Sequence, residues 1–477
     1  MTEKDFIVNV GPHGTFKRSG KYHTLPSDID AIFEKMELEN TKKITLYFHG
    51  GLVNEKIGLD TAIKMEKHFS SINQRTICIV WETGLMETLY TNILKISESK
   101  LFEKLVKILT KTLASKLNFD NEDGRGGGGP LTNAQVEEEL NKEFPFEYYT
   151  QNNFDAKARG AGNIIDSSPI LQELEVEYKY VIAADFELVS ILEELTITTP
   201  NQTEGHTRGF FSTALLVKSV SKIAYRVIMR FINKRDHDFY PTIIEELLRE
   251  LYIAELGAWV WNSMKIKSRD MWKDNAGVTD LNQYAGRYLF DKLTAYHKAH
   301  PDIQINLVGH SAGSIAVCNL LKMSATAYPE LVFDNIIFMA PACRVDLFKD
   351  EIVSHQNRFK NFRIFTMTDA NEKRDILVNF IYPRSLLYLI SGVLENEGKD
   401  FDAHILGLQR HINNAPPYAD VDELKIVHNF LFENEKNRII FSQTDDTSLD
   451  GMRTSSLTHG GFDDDEKTIS SIKFMLR

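Results

Sequence analysis

Apolar runs of strand length alternate with stretches of helical period along much of the chain. Lys43–Gly51 (KITLYFHGG) reads as a strand ending in a glycine turn, and Asn54–Phe69 follows with helical spacing. Arg75–Gly84 (RTICIVWETG) is a second strand, rich in β-branched residues. After a long interruption the alternation resumes. Leu281–His300 has an amphipathic helical pattern, Ile303–Gly313 (IQINLVGHSAG) is a strand and turn, and Ser314–Tyr328 is a helix. Phe333–Ala342 and Asn361–Met367 are strands flanking the helical Val345–Phe359, and Asn437–Gln443 precedes a closing helix, Glu466–Leu476. Strands that are apolar throughout, separated by helices, predict an α/β fold whose mostly parallel sheet is covered on both faces.

The interruption is mostly helical in pattern. Its amphipathic stretches lie at Leu101–Leu113, Phe210–Ile232 and Ile243–Trp261, with a glycine-rich break at Gly124–Pro130. The expected organisation is a core formed by residues 1–85 and 279–477, and a helical insertion, 86–278, over one end of the sheet. The charged residues Glu245, Glu246, Arg249 and Glu250 read as a salt-bridged helix face.

Composition narrows the function. The formal net charge of −12 argues against broad nucleic-acid binding. Cys78, Cys318 and Cys343 lack metal-ligand spacing and read as buried residues of a reducing compartment. No signal-peptide pattern opens the chain and no long apolar run spans a bilayer, so a cytoplasmic location is expected. No metal constellation or cofactor motif is seen, and Asp463-Asp464-Asp465 reads as a cap for the last helix.

The chemistry concentrates at Gly309-His310-Ser311-Ala312-Gly313, a nucleophile-elbow pattern between a strand and a helix. Such a turn strains the serine backbone and leaves no room for side chains two residues away. It also sets Ser311 at a helix N-terminus, where the Ala312 amide is the first candidate oxyanion donor. The second is Gly51, or Leu52 beside it, after His49-Gly50-Gly51; His49 is expected to brace that loop. The base expected late in the chain is His459, in SSLTHGG between the last strand and the last helix. His310 is read as pointing away from the serine, in a structural role. The acid is Asp375 or Asp369, both following the strand Asn361–Met367; Asp369 also reads as the start of a capping box, and either would serve.

These motifs, in the order Ser, Asp, His, resemble the α/β-hydrolase superfamily over residues 40–85 and 280–477. The resemblance implies an acyl-serine intermediate released by water. It points to a serine hydrolase of carboxylic esters, lipase- or esterase-like, acting on a lipid or small-molecule ester. Thioesters and peptides remain alternative substrates. A non-catalytic scaffold and an effector opened by a protein partner are the rival readings. The insertion departs from the family pattern and is expected to act as a lid. Its Lys100, Lys104, Lys107, Lys111 and Lys116 would suit transient contact with anionic headgroups, although a solvated helix face is the simpler account.

Overall fold

The computed structural model describes residues 2–51, 54–81, 85–117, 131–148, 167–197, 212–256, 258–395, 402–433 and 436–477. Leu52, Gly124–Pro130 and Phe210 lie outside them. Two compact units emerge: Met1–Thr88 with Trp259–Asp375 and His404–Arg477, and Leu89–Ala258 with Ile376–Ala403. The boundaries differ from the 86–278 expected for an insertion. Trp259–Val278 goes with the sheet, and Ile376–Ala403 joins the helices.

The first unit is built on seven strands: β1 (Ile7–Asn9), β2 (Lys43–Phe48), β3 (Arg75–Val80), β4 (Gln304–His310), β5 (Phe333–Met339), β6 (Phe359–Met367) and β7 (Ile439–Ser442). Their order is β1-β3-β2-β4-β5-β6-β7, and every neighbouring pair is parallel. β3 and β5 are buried along their whole length, as a sheet covered on both faces requires. Asn54 caps the helix Glu55–Ser70 through the Ile57 amide, and Asp465 caps Glu466–Leu476 through the Thr468 amide. The buried faces of these two helices, Met65 and Phe69 with Ile469 and Ile472, share one core with Tyr47, Val308 and Phe365 of the sheet. The three cysteines are free and buried.

The second unit is helical. Of the face that the periodicity predicts on Lys100–Lys116, Leu101, Leu105 and Leu109 are buried, together with Leu113, while Ile108 is only half-buried. Three of this helix's lysines are ion-paired. Lys104 lies within 4 Å of Asp185 and Glu187, Lys107 of Glu103 and Glu137, and Lys116 of Glu173 and Glu177. Lys111 meets the Asn133 carboxamide oxygen at 2.7 Å.

The acidic face of the helix Phe239–Leu251 is salt-bridged, as expected, but deeply buried. Glu245 and Glu246 are both 0% exposed and clasp Arg230, also 0% exposed, at 2.7 and 3.2 Å. Glu245 also accepts from His237 Nδ1 at 2.8 Å and from the Tyr382 hydroxyl at 2.6 Å. Burial alone would raise its pKa, but the charges of His237 and Arg230 win and hold it at about 2. Tyr382 belongs to the segment 376–403, so this network ties that segment to the helices.

Candidate active site

The elbow follows from its two glycines. A Cβ on Gly309 would lie 2.9 Å from the Gly313 carbonyl carbon, and one on Gly313 would lie 2.2 Å from the Phe48 carbonyl oxygen. With both sites bare, β4 turns directly into the helix Gly313–Ala327, and Ser311 is held at φ 51°, a left-handed conformation costly for a residue with a side chain. The turn is braced where its peptides meet β5. The Ser311 amide donates to the Met339 carbonyl at 2.8 Å, and the Ser311 carbonyl accepts from the Ala342 amide at 3.1 Å.

The His49-Gly50-Gly51 turn abuts the elbow. A Cβ on Gly50 would sit 3.3 Å from Ser311 Cβ, and one on Gly51 would sit 2.7 Å from Ala312 Cβ. Gly51 and Ala312, the two candidate oxyanion donors, are thus adjacent. His49 braces the loop. Its Nε2 accepts from the Trp81 amide at 3.1 Å, so Nδ1 carries the proton and donates to the Gly50 carbonyl at 2.6 Å.

His459 comes from the loop before the last helix. Its Nε2 lies 2.8 Å from Ser311 Oγ, and Ser311 and His459 are 2% and 4% exposed. Burial, reinforced by the neighbouring charge of His310, pushes the His459 pKa down to about 3. The imidazole is therefore neutral and able to accept a hydroxyl proton. Ser311 and His459 open on a cleft of about 350 Å³, also lined by Ile57, Asp60, Lys64 and Asp463.

Of the two candidate acids, Asp375 reaches His459: its Oδ2 accepts from the His459 main-chain amide at 2.7 Å. Burial raises its pKa. Asp369 instead opens the short helix Asp369–Glu372, which Thr368 caps, and lies 3.9 Å from Lys373. His459 Nδ1 is buried with no hydrogen-bond partner among the described residues. Sequence reasoning passed over the bond between His310 Nε2 and the His459 carbonyl, 3.1 Å long. It also missed two of the three consecutive aspartates. Only Asp465 caps the last helix; Asp463 and Asp464 hold Lys64 at 3.2 and 2.6 Å. Among the described residues, no group of acidic, histidine or cysteine side chains is arranged to hold a metal ion.

A parallel sheet with a serine elbow between its central strand and the following helix defines an α/β hydrolase fold. Residues 279–372 match the model of a family described as an alpha/beta hydrolase of unknown function (DUF900). That segment carries β4, the elbow, β5 and β6. No curated protein and no solved structure matches the chain. No helix among the described residues is long and apolar enough to cross a membrane.

Buried neutral histidines make the fold acid-sensitive. The His49 pKa is held at about 4 by burial, and that of His459 at about 3. Above the unfolded value of about 6.5 both states are neutral and stability is complete. As pH falls below it, the unfolded chain takes up protons that the folded chain refuses, so stability is lost down to each folded pKa. The expected loss between pH 7 and 4 is on the order of 3 kcal/mol per histidine. Urea midpoints across that range would show it; a flat profile would remove the effect.

Proposed function

We propose that the protein is a serine hydrolase of carboxylic esters. The carrying observation is the 2.8 Å contact between His459 Nε2 and Ser311 Oγ at a strained elbow. As Ser311 Oγ attacks the ester carbonyl, its proton passes to His459 Nε2, and the carbonyl electron pair moves onto oxygen. The Ala312 and Gly51 amides are the candidate donors to that oxyanion. On collapse the C–O bond to the alcohol breaks, and His459 returns the proton to the leaving oxygen. Water then repeats the sequence on the acyl-serine, giving its proton to His459 and releasing the acid. Of the two candidate acids, Asp375 is the one bonded to His459, through the main-chain amide and not the ring, and its part is to hold the base in place.

The substrate proposed is a lipid or small-molecule ester, and the lid role of the helical unit belongs to the same proposal. The test is labelling of the full-length wild-type chain by a fluorophosphonate, with the modified peptide located by mass spectrometry. Modification at Ser311 is expected, and an ester series of increasing acyl length would then define the pocket. Absence of labelling with and without lipid vesicles would favour a non-catalytic scaffold instead.

A further inference from the structure

His459 has four hydrogen-bonding groups, and three of them are engaged. Its amide donates to Asp375 Oδ2 at 2.7 Å, its carbonyl accepts from His310 Nε2 at 3.1 Å, and its ring Nε2 meets Ser311 Oγ at 2.8 Å. The fourth, Nδ1, is buried and has no partner among the described residues. In the familiar triad the carboxylate sits on that nitrogen and sets the tautomer. Here the carboxylate is bonded to the main chain.

We propose that His459 is aligned through its own peptide groups, with Asp375 fixing its N–H and His310 fixing its C=O, so that both are positioning residues and neither is hydrogen-bonded to the ring. The inference rests on reading Ser311 and His459 as nucleophile and base. Two bonds on either side of one Cα restrict the backbone dihedrals there and so aim the Cα–Cβ bond. The ring then has only its two side-chain torsions to settle before Nε2 meets Oγ. His310 is adjacent to Ser311 in sequence, so its bond ties the base's loop directly to the elbow. Because a carbonyl only accepts, His310 Nε2 is the donor in that bond, and its Nδ1 lies 3.9 Å from Asp463.

The chemistry of each bond dictates the test. A main-chain N–H is satisfied by a carboxamide oxygen as well as by a carboxylate, and a glutamine side chain carries an N–H donor near the place of Nε2. The full-length wild type is compared with Asp375→Asn, Asp375→Ala, His310→Gln and His310→Ala by the second-order rate of fluorophosphonate labelling, alongside each thermal midpoint. D375N and H310Q are expected to stay within about tenfold of the wild type. D375A and H310A should slow by roughly 10²-fold, the effect of a misplaced base, with midpoints close to those of their conservative counterparts. A D375N variant slowed about 10⁴-fold would show that the carboxylate orients the ring, and would overturn the proposal.

Proton NMR tests the same alignment without depending on turnover. No strongly deshielded imidazole N–H is expected in the wild type, and the His459 amide should shift in D375A more than in D375N. A strongly deshielded ring proton that disappears in D375N would place Asp375 on Nδ1 and defeat the inference even if Ser311 never labels. Failure of wild-type labelling would instead defeat the hydrolase reading, with the NMR result still deciding how His459 is held.

Discussion

Replacing Ser311 with alanine is expected to lower ester turnover by roughly 10⁴–10⁶-fold while leaving the fold intact. The side chain is small and 2% exposed, so its removal leaves little space to fill. What is lost is the atom that forms the acyl bond in the proposed mechanism. His459→Ala should cause a comparable loss, because an unassisted hydroxyl is a poor nucleophile. If serine and base act as a unit across their 2.8 Å contact, as proposed, the double variant should be little worse than either single one. Initial rates on a p-nitrophenyl ester, with circular dichroism as the control for folding, would measure all three. Full turnover by the Ser311→Ala protein would place the chemistry elsewhere.

The second large effect is on stability. Glu245→Ala should destabilise the helical unit by about 3–5 kcal/mol, the usual consequence of removing one partner from a buried ion pair. Arg230 would keep Glu246 but lose its 2.7 Å contact, and the Tyr382 hydroxyl and His237 Nδ1 would lose their acceptor. All of these side chains are buried, so water does not readily replace the missing bonds. The segment 376–403 is held partly through Tyr382 and should loosen with the helices. Urea denaturation followed by tryptophan fluorescence and circular dichroism would read the loss. A change below about 1 kcal/mol would mean that the network is better hydrated than its burial implies.

Much of the core could be read from the sequence, for physical reasons. β2 to β7 are apolar over most of their length because helices cover both faces of the sheet, and the glycines at 309 and 313 betray the turn that needs them. β1 gives almost no such pattern. With only Ile7–Asn9 it is too short to show a period, and its place beside β3 is settled by tertiary pairing. Periodicity found the helix Phe239–Leu251 but not the burial of its carboxylates, which depends on Arg230 arriving from another helix. At the candidate site, Ser311 and His459 were legible because an elbow and a late glycine-flanked histidine are local patterns. The contact of Asp375 with the His459 amide, and that of His310 with the His459 carbonyl, depend on loops meeting across 84 and 149 residues of chain. No local pattern encodes those meetings.

The sheet order also bears on synthesis. β2 lies between β3 and β4, yet β3 ends at Val80 and β4 begins only at Gln304. A chain emerging from the ribosome therefore makes β1, β2 and β3, and then a long helical stretch, before the strand that closes β2's other side exists. Throughout that interval β2 presents an unpaired, apolar edge, the kind of surface on which nascent chains aggregate. Aggregation of the nascent chain is therefore expected to be greatest before β4, the strand that leads into Ser311, has been made.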